Sequence, residues 1–182
     1  MTLRSDRDVI FHPTSIAGAF LIELEPRTDE RGSFARAFCK REFADAGIAF
    51  DIVQCNLAHT HHAGVVRGLH YQEKPAEEMK LVRCVAGAVF DALVDMRADS
   101  PTYRKTFWTP LNPQTRQALF IPAGVAHGYQ ALMDHTEFLY MTDQYYTPGL
   151  EKGVRFNDPA AAIPWPLPAR DVAARDLNWP SL

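Results

Sequence analysis

Lys80-Leu-Val-Arg-Cys-Val-Ala-Gly-Ala-Val-Phe-Asp-Ala-Leu-Val-Asp-Met96 decides the fold. Two apolar runs rich in β-branched residues flank Ala86-Gly87, with no room for a helix between them. Valine, leucine and phenylalanine at this density fit a pleated, half-buried surface. The stretch predicts strands at Lys80–Ala86 and Ala88–Met96, with Ala86-Gly87 as a tight hairpin turn.

The same texture continues on both sides. Val53–Ala58, Val65–Gln72, Phe107–Leu111, Gln117–Ile121, Ala126–Met133 and Thr136–Thr142 are further short strand candidates, and Asp134-His135 reads as a second hairpin turn. A parallel sheet needs crossovers of a dozen or more residues, and the gaps hold none. An all-β, antiparallel jelly roll with minor helices is predicted. From Val9 to Glu25 the apolar runs break at Pro13 and Gly18, as edge strands do. Cys39–Gly47 is the one clear helical stretch, closing on a glycine suited to a left-handed cap. Five of the thirteen prolines lie between Pro159 and Pro180, which predicts an extended tail wrapped on the body. A chain of 182 residues with no visible linker is expected to form one domain, residues 1–182.

Composition excludes several classes. Hydrophobic residues at 47%, aromatics at 11% and a net charge of -3 describe a globular protein, not a nucleic-acid or polybasic membrane binder. No apolar run approaches the ~20 residues of a membrane helix. Met1-Thr-Leu-Arg-Ser-Asp-Arg-Asp8 lacks the apolar centre of a signal peptide, so the cytoplasm is expected. Cys39, Cys55 and Cys84 are odd in number and have no CxxC spacing, so free thiols are expected.

The polar residues inside the strands carry the chemistry. In Gly64-Val-Val-Arg-Gly-Leu-His-Tyr-Gln72, alternation turns His70 and Gln72 to one face, and a bulge at Gly68 would bring Arg67 round to join them. The spacing of Gly64, His70, Gln72, Lys80 and Gly87 resembles the first cupin motif, and Pro122-Ala-Gly-Val-Ala-His127 resembles the second. Metal-binding cupins have histidine and glutamate where this chain has Gln72 and Lys80. An ammonium has no lone pair and repels a cation, and an amide oxygen is a weak ligand for zinc or iron, so no metal is expected there. The remaining groups suit proton transfer. Carbanion formation beside a ketone needs a base near neutrality and a donor or cation on the developing enolate oxygen. Histidine supplies the first, Lys80 or a second histidine the other, and Tyr140 can return a proton from the opposite side. His59, His61 and His62 have the look of a metal cluster, but their place at the apex of a polar connection predicts a solvated loop.

The full set of motifs resembles the dTDP-4-dehydrorhamnose 3,5-epimerase family of sugar-nucleotide epimerases. The matching pieces include Asp29-Glu-Arg-Gly-Ser-Phe34, Arg67-Gly-Leu-His-Tyr-Gln72, Ile121-Pro-Ala-Gly-Val-Ala-His-Gly128, Glu137-Phe-Leu-Tyr140 and Tyr145-Tyr-Thr-Pro148. The resemblance implies that His70 removes the proton beside the ketone, that Tyr140 returns one on the other face, and that Asp176 orients the base while Lys80 steadies the enolate. It further implies substrate contacts from Arg31, Gln54, Asn56, Arg67, Gln72, His127 and Glu151, with Tyr146 stacked on the nucleobase. It implies a nucleoside-diphosphate sugar as substrate, no cofactor, and a homodimer. The chain departs from the family pattern at Met141, Arg36 and Cys55, positions expected around the substrate. The sugar, the nucleotide and the number of inverted carbons stay open, as do a ketoisomerase, a metal-dependent cupin and a non-catalytic binding module.

Overall fold

A computed structural model of the chain describes residues 8–182. In chain order the elements are β1 (Val9–Pro13), β2 (Phe20–Leu24), β3 (Arg27–Asp29), β4 (Gly32–Phe34), α1 (Lys40–Asp45), β5 (Gln54–Thr60), β6 (Val66–Gln72) and β7 (Lys80–Ala86). There follow β8 (Val89–Asp95), β9 (Thr106–Leu111), β10 (Ala118–Ile121), β11 (Val125–Ala131), β12 (Thr136–Thr142), β13 (Glu151–Gly153) and α2 (Ala174–Leu177). A six-stranded sheet runs β1-β2-β10-β7-β12-β5 and a five-stranded sheet runs β13-β6-β11-β8-β9, while β3 and β4 form a separate ribbon. The strand pairings within these sheets are antiparallel. The two sheets face each other as a jelly roll. No helix among the described residues is long and apolar enough to cross a membrane.

Two expected hairpins turn out to be corners. β7 pairs with β10 and β12, and β8 with β11 and β9, so Ala86-Gly87 carries the chain from one sheet to the other. Asp134-His135 does the same between β11 and β12. Local turn chemistry reports a reversal, whereas the partner strand is chosen by distant residues. The helix ends as its sequence implies: Gly47 sits at φ 81, its N–H donates to Ala44 O, and Ile48 N–H reaches Phe43 O.

Alternation builds the layers. Between the sheets lie Val82, Leu93, Leu119, Val125, Tyr129 and Phe138. The outer face of the six-stranded sheet is sealed by α1 and its neighbours, where Phe43 meets Phe11 edge-to-face at 5.0 Å. Burying each such ring contributes about 1.5–3 kcal/mol. The outer face of the other sheet is covered by the tail, with Trp165 against Phe90 at 5.8 Å. Covered on both faces, β8 is buried along its whole length, which explains why its sequence is an apolar run and not an alternation.

Gly68 makes the bulge. β11 pairs His127 with His70 and then Tyr129 with Arg67, so β6 fits one extra residue into the interval. At φ 117 a Cβ on Gly68 would lie 2.5 Å from Gly128 Cα, a position only glycine can hold. Arg67 and His70, three apart, thereby reach the same side.

Candidate active site

A cavity of about 880 Å³ opens between the sheets. Gln54 and Asn56 reach it from β5, Lys80 from β7 and Tyr140 from β12, all on the six-stranded sheet. The other wall supplies Arg67, His70 and Gln72 from β6, and His127 and Tyr129 from β11. Period-two alternation does this placing: along β5 the inward residues are partly covered while Cys55, Leu57 and His59 are exposed.

The tail completes the site. α2 brings Asp176, 2% exposed, against β6, where Oδ1 lies 2.6 Å from His70 Nε2 and Oδ2 accepts the Gly68 N–H at 3.2 Å. Burial alone would raise the Asp176 pKa. The His70 bond and charge, the Gly68 N–H and Arg175 together outweigh it and hold the carboxyl below its ordinary range. An ionised Asp176 can only accept, so the hydrogen bond fixes the tautomer with the proton on Nε2 and the lone pair on Nδ1. Glu151 Oε1 stands 3.8 Å from Nδ1, beyond hydrogen-bond reach, and its other oxygen binds Arg175 at 2.8 Å.

On the opposite sheet, burial raises the Tyr140 pKa, Glu78 adds to it and Arg67 opposes it. The phenol therefore stays protonated at neutral pH. Lys80 Nζ reaches His70 O at 3.3 Å and pairs with Glu78 at 2.9 Å, which keeps its charge in place within a covered wall. His127 Nε2 meets Asp91 Oδ2 at 3.0 Å, giving a second histidine–carboxylate pair. Asp91 is fully buried, and its Oδ1 has no hydrogen-bond partner among the described residues. Burial pushes its pKa up, against the pull of His127 and Lys80. Sequence reading assigned no role to Asp91 or Tyr129. The available signal was a lone carboxylate inside Val89-Phe-Asp-Ala-Leu-Val94, because such a group is buried only with a purpose or a partner.

Of the residues expected from the resemblance, His70, Tyr140, Asp176, Lys80, Gln54, Asn56, Arg67, Gln72, His127, Tyr146 and Glu151 all line the cavity. Arg31 does not. It stands on the exposed β3–β4 ribbon, its guanidinium 2.6 Å from Asp29, because this short ribbon joins neither main sheet. Gln72 lines the wall with its amide already committed: Nε2 donates to Ala76 O, Glu78 Oε2 and Tyr145 O, and Oε1 accepts from Thr147 N–H at 2.7 Å. It ties down the loop that carries Tyr146, which is half-exposed at the cavity. The departures Met141 and Cys55 point away from the cavity, into the outer cluster and to solvent respectively. Arg36 pairs with Glu42 at 2.8 Å and Asp8 at 3.1 Å. Among the described residues no trio of metal-ligating side chains converges on His70 or His127.

A jelly roll whose inner cavity sets two histidine–carboxylate pairs across from a tyrosine holds the groups that proton transfer at carbon needs. The family described as dTDP-4-dehydrorhamnose 3,5-epimerase matches residues 13–182. The dTDP-4-dehydrorhamnose 3,5-epimerase of Shigella flexneri is 39% identical over 91% of each chain. A dTDP-4-dehydrorhamnose 3-epimerase of Streptomyces niveus is 38% identical over 91% of this chain and 80% of its own. The crystal structure of the Bacillus anthracis dTDP-4-dehydrorhamnose 3,5-epimerase, with TDP and PPi bound, superposes with a TM-score of 0.91 at 34% identity, covering 96% of this chain and 99% of that one. The chain belongs to the dTDP-4-dehydrorhamnose 3,5-epimerase family.

Proposed function

We propose that this protein is a cofactor-independent epimerase of a dTDP-4-keto-6-deoxyhexose, inverting one or both carbons that flank the ketone. The observation that carries the reading is the relative position of His70 and Tyr140: His70, bonded to Asp176 of α2, on one sheet and Tyr140 on the other, across one cavity. Inversion needs proton removal from one face of the carbon and return to the other. The C–H bond breaks, its proton passes to His70 Nδ1, and the electron pair delocalises onto the ketone oxygen. Lys80 and His127 are the cationic and donor groups available to that oxygen. Tyr140 Oη then protonates the carbon from the opposite wall, and the phenolate and imidazolium exchange protons with solvent, so no net redox change occurs. Asp176 is a positioning residue that fixes the tautomer and steadies the imidazolium.

Gln54, Asn56, Arg67 and Glu151 are the polar contacts for sugar and diphosphate, and Tyr146 is the stacking surface for the base. The protein is read as a cytoplasmic homodimer. A role for Arg31 then requires a second copy, since within one chain it lies on an exposed ribbon beside Phe34, itself 73% exposed. The test is proton NMR of a dTDP-4-keto-6-deoxyhexose incubated with the protein in deuterated water. Deuterium at one or both flanking carbons with inverted configuration supports the proposal. A ketone moved to a neighbouring carbon would make the protein a ketoisomerase, and tight binding without exchange would make it a binding module.

A further inference from the structure

Four of the seven histidines, His59, His61, His62 and His135, gather where the end of β5 meets the corner between β11 and β12. Three of them converge. His59, His61 and His135 each offer a ring nitrogen, and these nitrogens lie within 4.8 Å of one another. The rings of His59 and His61 are 4.8 Å apart and perpendicular, and those of His59 and His135 are 5.8 Å apart and nearly parallel. Two separate segments supply them, the end of β5 and the corner between β11 and β12. Those segments are fastened together: His135 N–H donates to His61 O at 3.2 Å, Asp134 Oδ1 accepts from Ala63 N–H at 2.8 Å, and Glu137 lies opposite His59 in the ladder.

We propose that His59, His61 and His135 form a binding site for a late first-row divalent cation such as zinc, with three imidazole ligands and an open fourth position. Neutral imidazole suits zinc, copper and nickel, and a metal–nitrogen length near 2.0–2.1 Å places the nitrogens of a tetrahedral site about 3.4 Å apart. The three side chains are exposed, so small torsional changes close the difference while the backbone stays bonded. Glu137, facing the same outer surface as His59, places a carboxylate beside the cluster, where it can orient a ring or offset charge. The site differs from the metal position of the cupin motif, where this chain has Gln72 and Lys80. His61 also lines the catalytic cavity, so a bound cation sits at the rim of the substrate site.

The test is zinc titration of the metal-stripped full chain against a chromophoric chelator, with cobalt absorption as a second readout. One zinc per chain is expected, with a cobalt spectrum of low-coordinate intensity. His135→Gln and His59→Gln should each weaken binding by at least about tenfold, since a lost ligand costs no less than a lost outer partner. His70→Asn and Cys55→Ser should bind as wild type does. Zinc should raise the melting temperature of wild type and raise that of His135→Gln by distinctly less, while the two melt alike without zinc, which separates a weakened site from a misfolded chain. Absence of zinc binding, or binding abolished in His62→Gln or His70→Asn but kept in His135→Gln, overturns the assignment.

Discussion

Replacing Asp176 by asparagine removes one charge and almost no volume at the point where the tail meets β6. The carboxylate lies 2.6 Å from His70 Nε2 and also accepts the Gly68 N–H. An asparagine keeps its oxygen for Gly68 and turns its NH₂ toward His70. Nε2 must then accept, which puts the imidazole proton on Nδ1, the nitrogen needed as the base. Coulomb's law at an effective dielectric of about 20 gives a unit pair at this distance roughly 6 kcal/mol. His70 is 18% exposed at its side chain, and solvent screening halves that figure to about 3 kcal/mol. Since each 1.36 kcal/mol is tenfold in rate, kcat should fall by about two orders of magnitude. The assay is initial-rate deuterium exchange into the keto sugar, with KM from the substrate dependence. KM should change little, because in the proposed mechanism Asp176 acts through His70. A loss of less than threefold in kcat would refute the dyad argument, as would an effect confined to KM.

Two further outcomes follow from buried groups. Asp95 accepts from Arg97, Ser100 and Thr102. Burial alone would raise its pKa, but these donors hold the carboxyl well below its ordinary range. A depressed carboxyl contributes stability that is present above its unfolded pKa of about 3.9 and is lost as pH falls below it. Asp95→Ala should therefore cost about 3 kcal/mol at pH 7, read as a melting temperature lower by roughly 10 °C, with a smaller gap near pH 3. Burial pushes the Cys84 thiol up to about 11, while Cys55 is exposed. A disulfide reagent at pH 8 should modify Cys55 in the native protein and reach Cys84 only on unfolding, as followed by mass spectrometry of digested protein.

The strands, the glycine-capped helix and the bulge at Gly68 were legible because each depends on local chemistry: alternation, a left-handed cap, a missing Cβ. The partner of each strand was not, and so Ala86-Gly87 and Asp134-His135 read as hairpins when they are corners. Short β13 gave no signal at all, since three residues of Glu-Lys-Gly carry no period; it is ordered by pairing with β6. Inside the site, the shared face of His70 and Gln72 followed from alternation. Asp176 came only through resemblance, because its place depends on how the tail returns to β6. Gln72 shows the opposite limit: its position was readable, but not that its amide is consumed by Ala76, Tyr145 and Thr147. His135 escaped the loop-histidine reading because it is far from His59 in sequence and adjacent only after the corner forms.

In the proposed mechanism His70 removes the proton and Tyr140 returns it from the opposite wall. Deuterium incorporation and product configuration, followed together by NMR in His70→Ala and Tyr140→Phe, test it most directly. His70→Ala should lose both exchange and inversion, while Tyr140→Phe should keep exchange at the flanking carbon and lose the inverted product. Exchange at the wild-type rate in His70→Ala, or full inversion in Tyr140→Phe, would contradict it.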